Sequence, residues 1–252
     1  MNFWNRINAR WTKEELSPWS SFYKTLYLLF PVVIYYIAGD VIEVVLWALI
    51  NSVLGHSSEN TVAFFATNQA TVRGIIYALG LVAGILILSK SAKNEILYEG
   101  PDAEIKTMSV LNACILVVVS FCASVGLNYI FDLTGLNRLS ESYNEIESAQ
   151  FGVAFYFGLV IYGIFSPLAE EIIFRGILYN RMKRVFPLYV SMFVSSLLFG
   201  IFHGNPVQGI YGTLMGLLIV WSYEHFKNFS APLIVHSVAN VSIFILGNTL
   251  WR

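Results

Sequence analysis

Of 252 residues, 56% are apolar and only 12% charged, where a soluble domain carries about a quarter charged residues. With a mean hydropathy of +0.64, this composition excludes an ordinary soluble domain and predicts a polytopic membrane protein. A net charge of −1 excludes the global basic field that nucleic acid requires, so the lipid bilayer is an expected partner and nucleic acid is not.

Residues 1–23 are polar, with Phe and Trp interleaved among Arg6, Arg10, Lys13, Glu14 and Glu15. They predict a short interfacial helix broken at Ser17-Pro18. Trp4, Trp11, Trp19 and Trp251 fall near predicted interfaces, as belt residues do. The polar start is too long for a cleavable signal, and the first apolar run lacks a small-residue cleavage site, so none is expected. The first span is predicted at 25–53, with Asp40 and Glu43 as buried charges near its middle. The second is predicted at 71–89, entered past Arg73. A polar loop follows, Ser89 to Lys106, and then a third span at 107–131.

Cys114 and Cys122 lie in that third span, about 12 Å apart along a helix. That is too far for a bridge, and they read as small buried apolar residues. A second polar loop, Asp132 to Gln150, carries Glu141, Glu145 and Glu147. The fourth segment, 151–182, spans about 48 Å as a helix, more than a ~30 Å hydrocarbon core needs. Ser166-Pro167 divides it, and a kinked, tilted helix is favoured over a broken pair. Spans five to seven are predicted at 188–203, 206–226 and 231–250. The fold class is thus an all-α transmembrane bundle of about seven to eight spans. Three parts are expected: an interfacial segment 1–23, N-terminal spans 24–150, and a core 151–250.

Counting basic residues by side supports a cytoplasmic N-terminus. Seven spans place eleven on the inner side: Arg6, Arg10, Lys13, Lys24, Lys90, Lys93, Lys106, Arg181, Lys183, Arg184 and Lys227. Only Arg73, Arg138 and Arg252 fall outside, with Arg175 inside the membrane. An extra crossing within 151–182 would move the 181–184 cluster outside.

Charge within such a run costs several kcal/mol on conservative scales, so Glu170, Glu171 and Arg175 demand partners. The other intramembrane polar groups are His203, four residues after Phe199, and His236, four residues before Asn240. Each pair shares one helix face. Taken singly, each has a structural reading: an ion pair, a turn residue, an interhelical hydrogen bond. Together, on three helices, they make a constellation. Carboxylate and imidazole can orient a water and take its proton; a second imidazole and an amide can stabilise an oxyanion. Arg175 beside two glutamates suggests that one is paired and the other is a base. His56 and His225, at loops or span ends, read as structural.

These motifs resemble the CPBP family, which groups type II CAAX prenyl proteases with bacteriocin-processing and abortive-infection proteins. Its Glu-Glu-x-x-x-Arg matches Glu170, Glu171 and Arg175; its Phe-x-x-x-His matches Phe199 and His203; its His-x-x-x-Asn (or Asp) matches His236 and Asn240. The resemblance covers about residues 150–245. It implies an intramembrane endopeptidase acting on a peptide or protein substrate in the membrane, and a bacterial plasma membrane as the location. Glu170 and His203 would hold the attacking water, His236 and Asn240 would bind the oxyanion, and Glu171 and Arg175 would support the site. It also implies no cofactor, with Zn²⁺ on two His and a Glu as the alternative. His-Glu-x-x-His, Gly-x-Ser-Gly and Gly-x-Gly-Asp, the marks of three other intramembrane protease classes, are absent.

Two rivals remain: a non-catalytic immunity or scaffold protein of the same fold, and a proton-coupled transporter. The motifs are undegraded and no internal repeat is visible, which count against them in turn. Asp40 and Glu43 have no role in the resemblance; pairing with Arg73, a wet cavity and recognition of a basic substrate residue are the readings.

Overall fold

A computed structural model describes residues 3–96, 107–136 and 153–249, less the side chains of residues 3, 4 and 7. Its helices are α1 (Phe3–Asn8), α2 (Lys13–Leu16), α3 (Ser21–Leu54), α4 (Glu59–Thr67) and α5 (Gln69–Ile96). They continue with α6 (Val110–Leu133), α7 (Phe155–Val185), α8 (Leu188–Ile201), α9 (Pro206–Phe226) and α10 (Ser230–Thr249). No strand occurs among the described residues. Lys106, Arg138, Glu141, Glu145, Glu147, Trp251, Arg252 and the ring of Trp4 lie outside them.

The chain is an integral membrane protein. Among the described residues, five helices, α3, α5, α6, α7 and α10, are long and apolar enough to cross a membrane. Seven or eight spans are not reached on those terms. The expected fifth span is α8, whose 14 residues reach only about 21 Å. The expected sixth is α9, which has 21 residues diluted by glycine and polar side chains. Large apolar side chains outside the bundle, such as Val110, Leu111, Val118 and Leu133 on α6 and Leu86 on α5, are exposed. A bilayer, not water, is the solvent that suits them.

The polar start forms two short helices rather than one. Thr12 and Glu15 close a capping box at α2, and the two hydrogen bonds from Thr12 hold the Glu15 carboxyl below the usual carboxylate range. Trp11 packs on Trp19 at 5.4 Å and Trp19 on Tyr27 at 5.9 Å, so these rings fold this segment onto α3. The nine-residue α4 was not anticipated; it follows the far end of α3 and buries none of its residues.

Two expectations in the N-terminal half are corrected. Asp40 and Glu43 are exposed, not buried. A ~30 Å core takes about 20 residues, and α3 has 34. The helix is therefore longer than the bilayer core requires, and both carboxylates stand on a face of it that nothing among the described residues covers. Arg73 does not pair with them; its guanidinium lies over the Trp47 ring at 5.7 Å. Cys114 and Cys122 are free and also exposed, on the outer face of α6.

Helix α7 is the centre of the bundle. Half of its most apolar stretch is buried, against 17% for α6 and 22% for α3, because α3, α5, α8 and α10 all pack on it. It runs unbroken through Ser166-Pro167. Two π-helical segments, Ile161–Phe165 and Ile172–Tyr179, bracket one regular α-helical stretch, Ser166–Glu171. The first absorbs the proline. Ser166 N–H donates to Ile161 O in the wider register, so Tyr162 O would receive the next N–H, and Pro167 has none. The wide turns thus set both glutamates on one ordinary turn, and π segments recur at functional sites.

Helix α5 outlasts its predicted end by seven residues, reaching Ile96, because Ser91 and Glu95 are buried against α7. Glu95 accepts from Arg181 Nε at 3.0 Å, from Arg184 Nη2 at 2.8 Å on both oxygens, and from the Tyr27 hydroxyl at 3.1 Å. Arg181 also donates to Tyr27 O at 2.7 Å and to Ser91 Oγ. Its Cζ stands 4.1 Å from the Tyr27 ring centre. This knot ties α3, α5 and α7 at one end of the bundle.

Candidate active site

Counted from Phe155, Glu170 is the sixteenth residue of the 31 in α7, and so lies at its middle. Glu171 is fully buried. Its Oε1 accepts from Arg175 Nη1 at 3.0 Å and from His236 Nδ1 at 2.7 Å. Its Oε2 is buried and accepts nothing from the described residues. Arg175, likewise buried, sends Nη2 to Gly216 O at 3.2 Å, and its Cζ lies 4.4 Å from the Phe199 ring centre. Phe199 packs edge-on to His203 at 4.9 Å and to His236 at 5.4 Å. The phenylalanine of the second motif is thus the wall on which the guanidinium and both imidazoles rest.

That wall depends on close backbone approach. A Cβ on Gly200 would collide with Gly209 O and Thr213 Oγ1, so only glycine lets α8 and α9 meet here. The approach brings Gly216 O to Arg175 and sets Gly212 beside the His203 ring.

Glu170 has different company. Its Oε1 accepts from Ser166 Oγ at 2.5 Å, one turn back on α7. Its Oε2 is 3.8 Å from His236 Nε2. The side chain keeps 13% of its surface exposed, against 0% for Glu171. His236 therefore stands between the two glutamates, one ring nitrogen towards each. A carboxylate only accepts, so Nδ1 carries the proton given to Glu171 and Nε2 is the atom free to exchange.

His203 lies just past the end of α8, in the turn before Gly204, not within a span. Its Nδ1 is 2.8 Å from Phe199 O. A carbonyl cannot donate, so Nδ1 is the protonated nitrogen and Nε2 keeps a lone pair when the ring is neutral. Its hydrogen bond and its ring contact are both with Phe199, and among the described residues it makes neither with Glu170. Asn240 donates Nδ2–H to Tyr162 O at 3.0 Å, the carbonyl for which Pro167 has no N–H. One of its amide hydrogens is spent on repairing the helix and one remains. Among the described residues, no three His, Cys, Asp or Glu side chains are grouped to hold a metal ion.

Sequence reasoning missed the contribution of the N-terminal half. The Tyr77 hydroxyl is 2.8 Å from Ser166 Oγ. Tyr35 and Tyr36 of α3 lie within electrostatic reach of Glu170, and Tyr36 stacks on Phe202 at 4.8 Å. A tyrosine in an apolar helix carries no pattern of its own, so no signal could have marked these. His56 caps Ser52 O, and His225 stacks on Trp221.

A helical membrane protein with a buried carboxylate–imidazole centre on its central helix is the class defined so far. Residues 152–242 match the family model of Rce1-like type II CAAX prenyl endopeptidases, and this segment holds all seven motif residues. The matching family model is the one that these motifs resemble. The chain is 22% identical over 191 residues to YdiL of Bacillus subtilis (strain 168), a candidate membrane peptidase, covering 72% of this chain and 78% of YdiL. It is 26% identical over 186 residues to the membrane-embedded CAAX protease MroQ of Staphylococcus aureus (strain USA300), covering 69% and 72%. Both alignments are longer than the family segment, so they take in part of the N-terminal half. No solved structure matches significantly. Family and relatives support an intramembrane protease in general terms.

Proposed function

We propose that the chain is a glutamic-type endopeptidase that hydrolyses a peptide bond in a membrane-associated peptide or protein, with Glu170 as general base. The observation that carries this reading is the unequal treatment of the two glutamates. Glu171 is tied at Oε1 to Arg175 and His236. Glu170 is held at Oε1 alone and presents Oε2 to an imidazole from a less buried position.

The proposed steps follow from these atoms. Glu170 Oε2 takes a proton from a water whose oxygen attacks the scissile carbonyl carbon. His203 orients that water with Nε2, since Nδ1 is fixed on Phe199 O. The oxyanion of the tetrahedral intermediate accepts from protonated His236 Nε2 and from the remaining amide hydrogen of Asn240. The carbon–nitrogen bond then breaks, and the leaving amine receives the proton held on Glu170. The products are a carboxylic acid and an amine, and Glu170 returns to its starting state. Arg175, Phe199 and Gly216 keep Glu171 and His236 in place.

The substrate we propose is a peptide or lipoprotein-like chain in a bacterial plasma membrane, cut near the cytoplasmic face. Comparative peptidomics of cells carrying the wild-type chain or Glu170→Ala tests this. The expected result is a set of cut membrane-associated peptides present only with wild type; identical peptidomes would overturn the reading.

A further inference from the structure

We propose that Tyr77 and Ser166 form a positioning relay that fixes the Glu170 carboxylate and leaves Oε2 as the oxygen that moves the proton; this rests on the reading of Glu170 as base. The direction of the relay follows from donor counting. Ser166 Oγ has one hydrogen, and at 2.5 Å from Glu170 Oε1 it gives that hydrogen to the carboxylate. The Tyr77 hydroxyl, 2.8 Å from the same Oγ, must then be the donor to Ser166. Tyr77 polarises Ser166, and Ser166 holds Oε1. The other oxygen, Oε2, faces His236 Nε2.

The surroundings show why Ser166 is available. A serine inside a helix ordinarily bonds back to the carbonyl four residues earlier, here Tyr162 O. That carbonyl accepts from Asn240. The Ser166 hydroxyl turns forward to Glu170 instead. Tyr77 is held against the Tyr162 ring, stacked at 5.9 Å and 29°, and Tyr162 lies 6.2 Å from Phe244. Tyr162 therefore serves both arms: its carbonyl engages Asn240, and its ring backs Tyr77. Tyr77 is exposed along part of its length while its hydroxyl end reaches inward to Ser166. Tyr77 comes from α5, outside the family segment, and so couples the N-terminal half to the site.

The full chain, purified in detergent, is tested as Tyr77→Phe, Ser166→Ala, the double variant, Ser166→Thr and Glu170→Gln. The substrate-free arm is infrared difference spectroscopy, with the Glu170 carboxylate band assigned by its loss in Glu170→Gln. That band is expected to move in Ser166→Ala and in Tyr77→Phe, and to return in Ser166→Thr. An unmoved band in Ser166→Ala would overturn the relay. The kinetic arm uses an internally quenched peptide library in the same micelles. Each single variant is expected to lose about tenfold in kcat, as for one hydrogen bond to a charged group, with KM and melting temperature unchanged. The double variant should fall no further than Ser166→Ala. Additive losses, or a raised KM at constant kcat, would overturn the relay. Cleavage retained in Glu170→Gln would overturn the base assignment, while the infrared arm still decides whether the relay exists.

Discussion

Two of the three arginines of helix α7 lie six residues apart, and each meets a buried glutamate in a different way. Arg181 meets Glu95, both of whose oxygens accept, from Arg181, Arg184 and Tyr27. Arg175 meets Glu171, which shares one oxygen between Arg175 and His236 and has no donor on the other among the described residues. Beside Glu171 stands Glu170, with an oxygen turned to an imidazole. A saturated carboxylate has no capacity left for a ligand or a proton; it is a tie. An unsaturated pair of carboxylates with an exchangeable ring nitrogen is expensive to bury and is the arrangement that chemistry needs. Saturation, rather than burial or charge, separates the two clusters.

The largest expected effect tests the open cluster. Glu170→Gln removes the proposed base but keeps the side-chain shape and an acceptor for Ser166. Cleavage is expected to fall about 10²–10⁴-fold, with a melting temperature close to wild type in detergent. The saturated cluster should behave in the opposite way. Glu95→Gln leaves the buried Arg181 and the half-buried Arg184 guanidinium against a neutral amide, at a cost of about 3–5 kcal/mol. Thermal unfolding should show that loss, while turnover per folded molecule stays near wild type. A Glu95→Gln protein that melts normally but cannot cleave would break the distinction.

What was legible in the sequence follows the same line. Glu170, Glu171, Arg175 and His236 of the open cluster stood out because charge and imidazole in apolar runs are costly and fell at helical spacing. Glu95 did not, because Ser89 to Lys106 reads as a polar loop, and only contact with Arg181 and Arg184 shows that α5 continues. Those two arginines were counted as inner-side surface charge, whereas Arg181 is fully buried. The π segments leave no mark in hydrophobic periodicity, so the repair of Tyr162 O by Asn240 was invisible. Asp40 and Glu43 were misread because an apolar run does not show which face of α3 is packed, and theirs is exposed.

A smaller effect is expected where the open cluster meets its scaffold. Gly200→Ala forces α8 from α9 at the point where Gly216 O reaches Arg175. Overpacking of this kind costs about 1–3 kcal/mol, read by thermal unfolding. Unlike Glu95→Gln, it should also lower turnover, because Phe199, His203 and Arg175 share the displaced wall. Lost stability with unchanged turnover would show that the wall is not part of the site.

The smallest effect concerns Asn240, to which two jobs are ascribed: donating to Tyr162 O, and donating to the oxyanion. Asn240→Leu removes both. It leaves a buried carbonyl unsatisfied, at about 1–3 kcal/mol, and should lower kcat about tenfold. The two losses can be pulled apart with Pro167→Ala. Alanine supplies the N–H that Tyr162 O lacks in the wide register of Ile161–Phe165, so the carbonyl no longer depends on Asn240. In that background Asn240→Leu should cost little stability yet still lower kcat. If stability and kcat recover together, Asn240 is a helix repair alone, and His236 Nε2 is left as the donor to the oxyanion. If only stability recovers, the amide acts on the substrate, and the proline is what holds it at the site.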